Sequence, residues 1–204
     1  MPARVKIPGY WKEKPIVRFH VMAKPIGPTC NLRCEYCYYL SKLDLVKHAG
    51  DRRMPWDVLE AFIRQYIQGQ NCQEIVFSWQ GGEPTLLGVD FFQEVVELQR
   101  KYSPPDVRIE NDLQTNGVLL DERWCDFLRD NRFLVGLSID GPRRLHDRYR
   151  VDPAGKPTFD RVLAAARLLS DHGVEFNTLT AVNRETARRP LEAVSYTHLR
   201  AHET

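Results

Sequence analysis

Short apolar runs, partly β-branched, alternate along this chain with longer amphipathic ones, and that alternation restricts the fold more than any single residue does. Residues 16–23 read as a strand, and a helix is expected over 55–67 with Pro55 in its first turn. A second strand over 74–79 leads through a Gly-Gly turn to a helix over 89–102. A third strand over 107–113 precedes a helix over 121–129, and a fourth over 134–139 precedes a helix that starts at Thr158 and stops at Gly173. Residues 174–182 form the fifth expected strand, with a further helix from Glu185. Strands separated by helices imply a parallel sheet covered by helices. At 204 residues, 43% hydrophobic and 27% charged, the chain can bury one sizeable core. It shows no internal repeat, low-complexity stretch or inter-domain linker.

The unusual strings all fall at strand ends. CNLRCEYC follows the first strand, QGGEP the second, QTNG the third and SIDGP the fourth. In a parallel barrel or an open α/β sheet these ends share one rim, where ligand sites are built. Four segments distant in sequence are therefore expected to meet at one site.

The chemistry of that site is set first by Cys30, Cys34 and Cys37. A C-x3-C-x2-C loop offers three thiolates, one fewer than closes a structural zinc site or an ordinary iron–sulfur cluster, so a cluster held this way keeps an open iron. The competing reading is a zinc knuckle completed by a remote His20 or His48, although this spacing is not a common zinc pattern. Gly81 and Gly82 let the backbone approach a ligand, and Glu83 can set a carboxylate beside a cationic amine. Ser138 and Asp140 flank Ile139 and share a face, so Ser138 can offer its hydroxyl to a polar ligand. Arg150, in HDRYR, can pair with a carboxylate, and His146 reads as a local hydrogen-bonding residue.

Composition argues against several partners. A net charge of +2 from interspersed acids and bases forms no basic stripe for nucleic acid. The first 17 residues lack the apolar centre of a signal peptide, and no run is long enough for a membrane span, so a cytoplasmic location and no membrane partner are expected. Five cysteines, three of them within eight residues, do not resemble a disulfide framework, and Cys72 and Cys125 are expected to be buried, unreactive thiols. Residues 194–204, VSYTHLRAHET, match the translation of a widely used transposase sequencing adapter. They are set aside as a tail, with residues 1–193 as the domain, and the spacing of His198 and His202 carries no metal reading.

CNLRCEYCYYL, FSWQGGEPTLLG, LQTNG, FLVGLSIDGP and VEFNTLTAVN together resemble, in order and spacing, the radical S-adenosylmethionine (SAM) enzymes, and within them the anaerobic sulfatase-maturating enzymes. The resemblance covers most of residues 16–193. It implies a (β/α)6 TIM-like barrel, here partial and ending after about five strands. It further implies that Cys30, Cys34 and Cys37 ligate a [4Fe-4S] cluster whose fourth iron chelates SAM. Tyr36 would contact the adenine region, Gly82 the methionine moiety, and Ser138 and Arg150 further parts of the cofactor. Gly81 and Glu83 belong to the same turn. The cluster would split the sulfonium to give a 5′-deoxyadenosyl radical, which oxidises a Cys or Ser of a sulfatase to Cα-formylglycine. The implied partners are a sulfatase polypeptide or peptide and a reducing donor of flavodoxin or ferredoxin type. Related enzymes form peptide crosslinks instead. The family's sixth strand, the acidic residue proposed as base and the auxiliary [4Fe-4S] clusters are expected beyond this chain. A chain of this extent is expected to bind its cluster poorly and not to mature a sulfatase.

Overall fold

The computed structural model describes residues 17–42 and 53–196. His48, His198, His202, most of the N-terminal segment and residues 197–204 lie outside them. Five strands, β1 (Val21–Ala23), β2 (Glu74–Trp79), β3 (Arg108–Thr115), β4 (Phe133–Ser138) and β5 (Phe176–Leu179), form one sheet in sequential order, every neighbouring pair parallel. An order that never reverses is that of a barrel wall; a doubly wound sheet would carry a switch point. The longer helices between them are α1 (Trp56–Gln68), α2 (Val89–Tyr102), α3 (Glu122–Asp130) and α5 (Phe159–Asp171). Short helices α4 (Arg143–His146), α6 (Arg184–Ala187) and α7 (Pro190–Val194) complete the described chain.

Periodicity explains how the layers meet. In α1 the buried residues Leu59, Ile63, Tyr66 and Ile67 recur at helical spacing. The odd-numbered residues of β2, Ile75, Phe77 and Trp79, face them and are almost fully buried. Phe62 and Tyr66 of α1 pack edge-on against Phe77, and Phe92 of α2 packs edge-on against Trp79. Trp124 and Phe127 of α3, Phe133 of β4 and Val162, Ala166 and Leu169 of α5 extend the same core. All four long helices thus pack on one face of the sheet. Inside this layer Asn111 exchanges amide hydrogen bonds with Gln99, both at 2.9 Å, and accepts from Trp79 Nε1 at 2.9 Å.

The opposite face is polar. Arg108 pairs with Glu74, Ser78 donates to Asp112 while His20 Nε2 and Ser78 Oγ lie 2.8 Å apart, and Gln80 donates to Gln114. Strands of parallel sheets are usually buried on both faces. Here β2 and β3 alternate, because this face is satisfied by side-chain hydrogen bonds and not by the bulky layers that commonly fill a TIM barrel.

Several element limits differ from expectation. β1 starts at Val21 and not at residue 16, because the chain before it meets side chains before it reaches β2: Phe19 N donates to Gln70 Oε1 at 3.2 Å, and Tyr66 Oη donates to Phe19 O at 3.1 Å. β3 runs two residues past residue 113, where Gln114 and Thr115 pair with Gly136 and Leu137 of β4. β5 is shorter than 174–182. The final helix is broken in two at Pro190, which has no N–H to donate. Residues 194–196 of the adapter-like tail are described, and the Tyr196 ring packs on Phe159.

Candidate functional site

The loop between β1 and α1 carries the three cysteines, and main-chain hydrogen bonds hold it on two sides. Gly82 N donates to Gly27 O and Glu83 N to Thr29 O, both at 2.8 Å. On the other side Arg33 N donates to Val151 O at 2.8 Å and Glu35 N to Tyr149 O at 3.0 Å. A tight turn, Cys37 N to Cys34 O at 2.9 Å, brings the last two cysteines together. The QGGEP turn is thus bonded directly to the segment that enters the cysteine loop.

Gly82 has a reason that sequence did not show. A Cβ there would lie 2.0 Å from Thr29 O, so the glycine is required first by the backbone of the cysteine loop. Gly81, at φ +133, adopts a conformation reserved for glycine. Glu83 likewise has a structural occupation. Its Oε1 accepts from Thr85 N (3.0 Å), Thr85 Oγ1 (2.6 Å) and Thr115 Oγ1 (2.7 Å), and its Oε2 from Asn116 N (2.7 Å). The carboxylate therefore ties the end of β2 to the end of β3, and burial pushes it above the ordinary carboxylate range while these donors pull it down.

One cavity of about 260 Å³ opens at the C-terminal rim of the strands. Cys30, Cys34, Cys37, Tyr36, Gly81, Gly82, Glu83, Ser138 and Arg150 all line it. Gln114, Asn116, Tyr39 and Ala181, none of them singled out from sequence, line it too. Asn116 is the most informative of these, since its Nδ2 donates to Asn31 Oδ1 at 2.8 Å and approaches Cys30 Sγ at 3.8 Å. Leu32 N donates to the same sulfur at 3.3 Å. The only trace of Asn116 in the sequence is its place in QTNG just past a strand.

Behind the cavity wall lies Asp140, fully buried and paired with Arg150 through Nε at 2.9 Å and Nη2 at 3.2 Å. Tyr36 Oη also donates to it, and burial raises the phenol's pKa so that it stays protonated. His146 does act locally: its Nδ1 accepts from Asp140 N at 3.3 Å and its Nε2 lies 3.1 Å from Thr158 Oγ1.

The model of the Radical SAM superfamily matches residues 25–196. The chain belongs to the radical SAM superfamily. Among curated proteins, the serine-type anaerobic sulfatase-maturating enzyme of Bacteroides thetaiotaomicron is 45% identical over 177 residues, covering 87% of this chain and 42% of the relative. The cysteine-type enzyme of Clostridium perfringens is 44% identical over 180 residues, covering 86% of this chain and 47% of the relative. The solved structure of native anSMEcpe with bound AdoMet and Cp18Cys peptide superposes with a TM-score of 0.79 at 40% identity, over 89% of this chain and 48% of that one. The radical SAM chain thus spans less than half the length of these relatives.

The residues present fit a radical SAM cluster better than a single ion. A lone zinc with sulfur ligands needs its donors within about 2.3 Å of one point. Among the described residues no group of three His, Cys, Asp or Glu side chains converges in that way. A cluster places each thiolate on a separate iron, and the three cysteines that line one cavity suit it. N–H groups aimed at Cys30 Sγ are the kind of contact that tunes cluster potential. His20, the described candidate for a fourth zinc ligand, is held by Ser78 and does not line the cavity. Burial pushes the Cys30 thiol up to about 11 and raises Cys34 as well, so ligation by them would displace protons. Among the described residues no helix is long and apolar enough to cross a membrane.

Proposed function

We propose that this chain supplies the cofactor-binding core of an anaerobic sulfatase-maturating enzyme, oxidising a Cys or Ser of a sulfatase to Cα-formylglycine. One observation carries the reading: three thiols and the SAM-contact residues expected at or after the ends of two other strands, β2 and β4, line a single cavity. Cys30, Cys34 and Cys37 would hold a [4Fe-4S] cluster, and the open iron would take SAM. Together these groups supply one-electron cleavage of the sulfonium C–S bond. The chain's own part is placement. The GGEP turn sets the floor of the cavity through Gly82, Ser138 and Arg150 line the β4 side, and Tyr36 is fixed by its bond to Asp140. A peptide substrate agrees with the relatives' names and with the peptide in the matched structure. A flavodoxin- or ferredoxin-type protein would deliver the electron.

The test is anaerobic reconstitution with iron and sulfide. Iron uptake is expected to fall short of the full complement of about four per chain, in keeping with weak cluster binding by a chain of this extent, but to come with a reduced-cluster EPR signal that SAM perturbs and to be lost with that signal in Cys34→Ala. Tight zinc binding with no iron uptake would instead select the zinc knuckle, a non-catalytic metal-binding module. For the substrate, the gene's full reading frame is incubated with SAM, reductant and a sulfatase peptide carrying Cys or Ser. A carbonyl trapped by a hydrazide supports formylglycine, whereas a crosslinked peptide of unchanged carbonyl content overturns it.

A further inference from the structure

Asp140 does not line the cavity, yet it holds three groups that do. Its Oδ2 accepts from Arg150 Nε at 2.9 Å and from Tyr36 Oη, and its Oδ1 accepts from Arg150 Nη2 at 3.2 Å and Ala181 N at 2.9 Å. These donors come from the cysteine loop, from the segment after α4 and from the chain beyond β5. Arg150, Tyr36 and Ala181 all line the cavity. Four donors saturate a carboxylate, so Asp140 is confined to one orientation and cannot leave to meet a ligand. With Nε and Nη2 committed, Arg150 has Nη1 left for the cavity, and its guanidinium also stacks over the Tyr36 ring at 5.6 Å.

Charge gives this arrangement a second consequence. The Arg150 side chain is 11% exposed and that of Asp140 is 0%, so water screens neither. An unpaired guanidinium so placed would repel a cation in the cavity. Resting on the functional reading above, we propose that Asp140 is a positioning residue that cancels the charge of Arg150, so that the cavity accepts a sulfonium ligand while Arg150 still offers a hydrogen-bond donor. SAM carries that fixed positive charge, and S-adenosylhomocysteine has the same amino-acid and nucleoside ends without it. The pair thereby sets the preference between the two.

The experiment measures dissociation constants for both ligands on the reconstituted chain by equilibrium dialysis. In Asp140→Asn, SAM binding should weaken about tenfold more than S-adenosylhomocysteine binding, the scale of one poorly screened unit charge. Arg150→Gln should shift the ratio the other way, towards SAM, whatever contact both ligands lose. Asp140→Asn combined with Arg150→Gln should restore the parental ratio. A merely structural role for Asp140 would weaken both ligands equally, and equal losses in both single variants would overturn the proposal. Should Asp140→Asn not fold, as shown by circular dichroism, the Arg150→Gln ratio still decides. A parent that assembles its cluster but binds neither ligand overturns the functional reading, and this role with it.

Discussion

A single methyl group added at residue 82 would meet a backbone carbonyl at 2.0 Å, whereas one added at Gly136 would meet the end of the Leu179 side chain at 2.8 Å. Backbone cannot yield as a leucine can. Gly82→Ala should therefore cost on the order of 1–3 kcal/mol and displace the cysteine loop, while Gly136→Ala should cost less than about 1 kcal/mol. Iron content after reconstitution is the discriminating measurement, falling in the first variant and unchanged in the second. His146 gives a pH dependence. Burial first, then the nearby Arg150 charge, push it down to about 4, against the opposing pull of Asp140 and Asp147. As pH falls the unfolded histidine takes up its proton first, so stability is full above about pH 6.5 and declines below it by at most about 1.4 kcal/mol per unit, levelling off below about pH 4. Urea titrations of the parent and His146→Gln across that window should diverge, with the shallower acid slope in the variant. At this scale the cysteines and the glycines were legible because their residue types are unusual at strand ends, and Arg150, which follows α4, was singled out through the family resemblance. The occupations of Glu83 and Asp140 were not, since a carboxylate's burial depends on donors brought from other strands.

Among the elements, the four long helices were legible almost to their ends because each carries an apolar stripe of helical period. α2 spans the residues expected of it, and α3 begins one residue inside the expected start, after Asp121 caps Trp124 N at 2.9 Å. Strand limits were less legible because they depend on where a neighbour starts. The polar face of β2 and β3 was hidden for a related reason: EIVFSW reads as apolar until Glu74 and Ser78 are seen to share a side with Arg108 and Asp112. The other side depends on one buried amide pair. Asn111→Leu would leave Gln99 and Trp79 Nε1 without partners in the core and should cost about 2–3 kcal/mol. Arg123→Ala, which breaks an exposed pair with Asp90, should leave the denaturant midpoint nearly unchanged.

For the molecule as a whole, the division of faces separates what stabilises the fold from what serves the ligand. Cys125 belongs to the first group: it is fully buried in the helix-side core, and burial pushes its thiol up to about 11. The double variant Cys72→Ala, Cys125→Ala should lose on the order of 1–2 kcal/mol of stability yet keep the parental iron-to-protein ratio. Any drop in that ratio would mean that a fourth thiol takes part. The two pairs of main-chain bonds that staple the cysteine loop have a longer reach. Because Gly82 and Glu83 donate to the segment entering the loop, and Arg33 and Glu35 donate from within it, through backbone N–H groups, side chains other than proline at 33 and 35 leave these four bonds intact while the sulfurs keep their places. The loop can thus present a different surface without moving its three sulfurs.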